Sequence, residues 1–220
     1  MAPSLLVQIQ HLLAALLLLL AFAMLATRRL AHLVSLFTAQ GLVLAAGTLL
    51  MAGTVGSGEL LASALLTLGL KVLLLPYVLR RLLLQLRASW DREPLLNIPS
   101  TQLIGIVLVI FAFVLTQPIT QLATPGGRGT LGIALAVVFL ALLMMIVRSR
   151  AIAQVIAFLA LENGLLFAAT SATAGMPMVI ELGIGLDVLV GMFILGIFMF
   201  QIRERFDSLD LDSLQAEEEA

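Results

Sequence analysis

Four ionisable residues interrupt the long apolar runs of this chain: Lys71, Glu162, Glu181 and Asp187. Lys71, in TLGLKVLLLP, is its only lysine. A charge at the centre of a bilayer costs roughly 2.5 to 3.5 kcal/mol on insertion scales, so such groups are rare and usually line a polar path or pair with one another. Burial disfavours the charged form of acid and base alike. An amine and several carboxyls held at membrane depth are therefore equipped to take up and release protons. No rival chemistry is visible. The chain has no cysteine, which excludes disulfides, thiolate metal sites and iron–sulfur ligation. His11 and His32 are its only histidines, no His/Asp/Glu group has metal-ligand spacing, and neither histidine is given a role. No glycine-rich phosphate loop and no Ser/His/Asp set can be assembled, so neither a cofactor, a nucleic-acid partner nor a catalytic site of its own is expected.

The elements that must hold these charges are membrane helices. The 220 residues are 61% apolar and only 11% charged, where soluble domains run near 25% charged. Seven stretches are long enough to cross a bilayer, near 4–26, 30–52, 59–85, 100–118, 130–147, 151–171 and 177–202. The fold class is thus all-α, a polytopic membrane protein with seven transmembrane helices. The first run lacks a basic leader and reads as a span, not as a cleavable signal. Short connections carry turn chemistry, as in GTVGSG at 53–58, TPGGRG at 124–129 and AGMP at 174–177. Arginines alternate loop by loop. Arg28, Arg29, Arg80, Arg81, Arg87, Arg92, Arg148, Arg150, Arg203 and Arg205 fall on one side, and only Arg128 on the other. By the positive-inside rule this places the N-terminus outside and the C-terminus in the cytoplasm, as expected of a multi-pass protein of a bacterial inner membrane.

Counting residues gives depth. Lys71 lies twelve residues after Glu59, about 18 Å at 1.5 Å per residue, near the middle of a core about 30 Å thick. Glu162 is equally far from Arg150, and Asp187 is also central, whereas Glu181 sits about one turn inside the outer interface. Each has a plainer reading. The Lys71 ammonium could snorkel to an interface, although a stem of about 6 Å is short for that depth. Glu162 could be a protonated carboxyl joining helices, and Glu181 a hydrated interfacial acid. Two further features support the mid-membrane layer. Asn163 and Gly164 directly follow Glu162, an amide beside a helix-weakening glycine that could favour a local bulge or an ordered water. Pro76, five residues after Lys71, removes a backbone donor and should kink the third span.

A weak internal repeat is also visible. QGLVLAAG from Gln40 resembles NGLLFAAT from Asn163, and GLKVLL from Gly69 resembles GLDVLV from Gly185, which sets Lys71 opposite Asp187. Spans one to three and five to seven would then be two copies of one three-helix unit in the same orientation, an arrangement that often holds ion sites near mid-membrane.

The strings KVLLLP at 71–76, LENG at 161–164 and IELGIGLDVL at 180–189, with LDLDSL at 209–214, resemble component E of hydrogenase-4, the membrane subunit of formate hydrogenlyase-type complexes. The last three helices are similar in turn to the K subunit of bacterial complex I, and Glu162 and Glu181 match its two intramembrane glutamates. This resemblance implies an N-terminal three-helix unit at 1–95, a linking helix at 96–125, a K-like unit at 126–206 and an acidic cytoplasmic tail at 207–220. Gln40 would stand near the place of an acid lost from the N-terminal copy. It further implies a non-catalytic subunit in the proton-translocating membrane arm of an oxidoreductase complex, beside antiporter-like and other membrane subunits. Lys71, Glu162, Glu181 and Asp187 would form its proton path, with Asn163, Pro76 and Gln40 in support. Two alternatives stand beside it: a purely structural scaffold of such an arm, and a component similar to the C subunit of multisubunit cation/proton antiporters.

Overall fold

A computed structural model describes residues 5–56, 58–85, 97–120 and 129–173, together with Gly183, Gly191 and Ile194. All but the last two belong to one compact unit, Met1–Ile184, and Gly191 and Ile194 belong to a second, Gly185–Ala220. Among the described residues every long element is a helix. They are α1 (Leu5–Ala26), α2 (Leu30–Val55), α3 (Gly58–Thr67), a π-helical stretch (Leu68–Leu74), α4 (Leu75–Gln85), α5 (Ile98–Thr120), α6 (Thr130–Val147) and α7 (Ala151–Thr173). Helices α3 and α4 and the π-helical stretch together form the third span. Six helical segments are long and apolar enough to cross a membrane, and this is a multi-pass helical bundle of that kind. They match the first six spans expected from hydropathy. The seventh, at 177–202, and with it Glu181, Asp187, their places in the repeat and the acidic tail, lie outside the described residues.

Helices α6 and α7 pack against each other, α5 and α1 pack on α6, and α2 packs on α1, α7 and the third span. Within the bundle α6 is 56% buried, whereas α5 is 17% buried and turns Leu103, Val107, Ile110 and Val114 outward. An apolar outer face is what lipid requires, since no water is present there to solvate a polar one. Glycines set the closest approaches. A Cβ on Gly132 would lie 2.8 Å from the Phe113 ring of α5, and one on Gly164 would lie 3.0 Å from Val138 Cγ2 of α6. Small residues at such points let helices pack tightly where the hydrophobic effect cannot drive association.

One end of the bundle gathers arginine. Arg148, buried between α6 and α7, donates from Nη2 to the carbonyls of Met24, Leu25 and Thr27 at 2.9, 3.2 and 2.6 Å. These belong to the C-terminal turn of α1 and the residue after it, where the last carbonyls of a helix have no partner within it. A cation also complements the negative end of the helix dipole. Arg80 Nη2 reaches Ser35 Oγ of α2 at 3.3 Å. The opposite end holds the turn between α2 and α3. Gly56 takes a left-handed conformation (φ 70°) and donates to Ala52 O at 2.9 Å, ending α2.

The position of the helix irregularity corrects the sequence expectation. Of the two outcomes the sequence allows at Asn163–Gly164, a local bulge or an ordered water, the bulge is not found: α7 runs as unbroken α-helix through both. The widened turn lies instead in the third span, at Leu68–Leu74, directly before Pro76. Leu75 N–H bonds to Leu70 O, five residues back instead of four. Proline supplies no N–H and its ring collides with the carbonyl four residues earlier, so widening the preceding turn relieves the clash and keeps the chain helical. In α7 the neighbouring α6 packs on Gly164 and holds it in place, which removes the freedom that glycine alone would give.

Candidate functional site

Lys71 stands in the π-helical stretch, near the middle of the third span, and Glu162 stands at the midpoint of α7. Their side chains are 0% and 2% exposed, and Lys71 Nζ lies 3.1 Å from Glu162 Oε1. The ammonium also donates to Asn163 Oδ1 at 2.8 Å. Asn163 in turn donates from Nδ2 to Gln40 Oε1 at 3.2 Å, and both amides are fully buried. Three helices thus contribute to one polar cluster inside an apolar bundle. Snorkelling is set aside, because the lysine head turns into the protein and meets a carboxylate there.

Each contribution has a local cause. A π-turn inserts one extra residue per turn and rotates the following side chains, which swings Lys71 relative to a regular helix. Gly41 lets α2 come close: a Cβ there would lie 3.2 Å from Lys71 Cβ and 3.5 Å from Lys71 O. In α2 and in α7 alike an amide precedes a glycine, Gln40–Gly41 and Asn163–Gly164. The amide enters the cluster and the glycine admits the neighbouring helix, to which Gln40 and Asn163 add a direct contact between the two strings that the repeat aligns.

The hydrogen bonds have a direction. Lysine can only donate, so it fixes Asn163 with its carbonyl oxygen toward Nζ and its amide nitrogen toward Gln40. That nitrogen fixes Gln40 with Oε1 toward Asn163, which leaves Gln40 Nε2 as the end of the series. This nitrogen is buried and has no hydrogen-bond partner among the described residues. Chemically the cluster can shift a proton between amine and carboxylate, because neutralising both removes two buried charges at once. It could equally stay charged as a fixed cross-link between α7 and the third span. Among the described residues no three His, Cys, Asp or Glu side chains group as a metal site requires.

Of the residues expected at the site, Lys71, Glu162, Asn163 and Gln40 come together, and Pro76 lies one turn away behind the widened turn. Glu181 and Asp187 lie outside the described residues. Sequence reasoning overlooked Ser63, Thr67 and Thr48, which are also buried. The spacing of Ser63, Thr67 and Lys71, four residues apart on one helix face, was the signal that could have found the first two.

The sequence is similar to the uncharacterized protein Rv0085 of Mycobacterium tuberculosis, with 36% identity over 189 residues that cover 86% of each chain. No family model and no solved structure matches it.

Proposed function

The chain belongs to the family of that mycobacterial protein, and from its buried charge cluster we propose that it is an integral membrane subunit through which protons pass in a larger, complex I-like or hydrogenase-like assembly. The observation that carries this reading is the Lys71–Glu162 pair, an amine and a carboxylate in contact halfway along two spans. Ionisable groups at this depth are costly, pair with one another and commonly mark ion or proton paths. The resemblance of KVLLLP and LENG to component E of hydrogenase-4 supports it, since those strings contain Lys71, Glu162 and Asn163. Electron transfer would belong to partner subunits, and Glu181 and Asp187 would extend the path. The N-terminus would face outward and the C-terminus the cytoplasm of a bacterial inner membrane, as the arginine pattern favours.

A second reading is favoured by a specific observation. Lys71 is held by both Glu162 and Asn163, as a permanently charged cross-link would be. On that reading the chain is a scaffold. A tag on this chain purifies its complex and identifies the partners, antiporter-like subunits being expected. Vesicles containing that complex then report proton uptake for Lys71→Ala and Glu162→Ala, with assembly followed on native gels. The proton-path reading expects uptake to disappear from assembled complex. The scaffold reading expects uptake to fall only as far as assembly falls.

A further inference from the structure

Buried polarity in the three helices of the cluster is one-sided. Moving from Lys71 toward the α2–α3 turn, the third span buries Thr67 and Ser63, α2 buries Thr48, and α7 buries Thr170. Moving toward the arginine end, the same three helices bury apolar side chains, represented by Leu33 and Phe37, Leu75 and Leu79, and Ile156 and Leu159. Among the described residues of these helices no buried polar side chain lies on that second side. Ser63, Thr67 and Lys71 share one helix face at four-residue intervals, and Gln40 and Thr48 share a face of the packed neighbour α2. Each series rises about 12 Å from the charge cluster, at 1.5 Å per residue. The hydroxyls of Thr48 and Thr170 donate to carbonyls of their own helices, Leu44 O at 3.0 Å and Leu166 O at 2.9 Å. Their oxygens keep lone pairs that can accept from water. At the end nearest the charge cluster the buried Gln40 Nε2 is a donor without an acceptor among the described residues. At the outer end Ala52 and Leu60 pack together across the α2–α3 pair.

We propose that water enters between α2 and α3 from the turn end and reaches Gln40 Nε2 and Lys71 along Thr48, Ser63 and Thr67, whereas the arginine end is sealed. A buried polar donor of this kind is normally satisfied by ordered water, and water needs several polar partners along its way. The apolar layers of Phe37, Leu79 and Ile156 offer none. Ala52 and Leu60 form a cap that limits the rate of entry. This deepens the proton-path reading and rests on it for its purpose, since it gives the cluster access to one side of the membrane only.

The natural absence of cysteine makes the test direct. Single-cysteine variants Ser63→Cys, Thr67→Cys and Leu79→Cys are made in the full chain in its own membranes. Thr54→Cys marks the turn end and Ser149→Cys the arginine end, both being exposed positions. A membrane-impermeant methanethiosulfonate is applied to sealed vesicles of each orientation. The thiols at 63 and 67 should react from the side that labels Thr54→Cys at least roughly tenfold faster than from the other, because only a hydrated thiol ionises and reacts. Adding Leu60→Ala should speed them further, and Leu79→Cys should stay unlabelled from both sides. Labelling from the arginine side, or none even with Leu60→Ala, overturns the proposal. Proton uptake by the Lys71→Ala complex is read separately. Uptake that needs Lys71 without one-sided labelling sinks the path and leaves the proton reading standing, and the reverse result separates the two the other way.

Discussion

Asn163 Nδ2 donates to Gln40 Oε1 at 3.2 Å, joining two amides that occupy equivalent places in the QGLVLAAG and NGLLFAAT strings. The match between these strings is what leads a duplicated three-helix unit to be expected from the sequence. Lys71 treats the two amides differently. It binds Asn163, and so sets the direction of every hydrogen bond beyond it.

Asn163 and Gln40 should therefore differ in cost. Asn163→Leu removes an acceptor from the Lys71 ammonium and a donor from Gln40, leaving two buried groups short, and should destabilise by about 1 to 3 kcal/mol for each. Gln40→Leu removes one acceptor together with a donor that has no protein partner among the described residues, and should cost about 1 kcal/mol. Thermal unfolding of the detergent-solubilised protein gives the order. A Gln40 variant as damaged as the Asn163 variant would contradict the direction of the series.

Lys71 and Glu162 should be strongly coupled. Removing either partner alone leaves a buried charge and should cost about 3 to 5 kcal/mol, whereas Lys71→Met with Glu162→Leu removes both charges and should restore much of the stability. A double-mutant cycle on the same unfolding measurement should give a coupling at least as large as one single loss, about 3 kcal/mol or more. Additive losses would mean that the two do not act on each other.

Gly41 and Gly53 provide a matched pair on one helix. A Cβ at 41 meets Lys71 at 3.2 Å, and one at 53 meets no described residue within 4 Å. Gly41→Ala should push the π-turn away and cost about 1 to 3 kcal/mol by overpacking. Gly53→Ala should be neutral or stabilising by up to about 1 kcal/mol, from helix propensity. Equal effects would show that close approach at Gly41 is unimportant.

Arg148 should matter through where its guanidinium reaches and not only through its charge. Arg148→Met removes the Nη2 donor from Leu25 O and Thr27 O, and from Met24 O, which still accepts from Thr27 N–H at 3.3 Å, and a cost of about 1 to 3 kcal/mol is expected. Arg148→Lys keeps the cation and should recover part of it, because an ammonium cannot reproduce the fixed guanidinium geometry. Protease sensitivity of the α1–α2 junction in membranes reports both.

Much of this site could be read by counting along the chain. Lys71 and Glu162 stood at one depth because each is twelve residues from a marked interface, and contact at that depth brings them to 3.1 Å. Gln40 and Asn163 were legible as polar residues in aligned strings. Their mutual contact was not, since it depends on α2 packing against α7. Glycine weakens a helix locally, so a bulge or an ordered water is a fair expectation at Asn163–Gly164, but packing of α6 on Gly164 holds α7 regular, and the irregularity falls in the third span, where Pro76 marks a distortion in the sequence. Arg148 was read only as an orienting charge. That its side chain would turn inward to the end of α1 depends on tertiary geometry that spacing does not encode.

On the proposed function Lys71 and Glu162 exchange a proton, and infrared spectroscopy of the purified complex in lipid measures this most directly. Difference spectra are recorded between about pH 5 and pH 9, on both sides of neutrality. The prediction is a buried carboxyl band that changes with pH, is absent in Glu162→Gln and is displaced in Lys71→Met, in complexes that remain assembled. A spectrum in which no carboxyl signal depends on Glu162 across that range would mean a fixed ion pair, and would contradict the proton path.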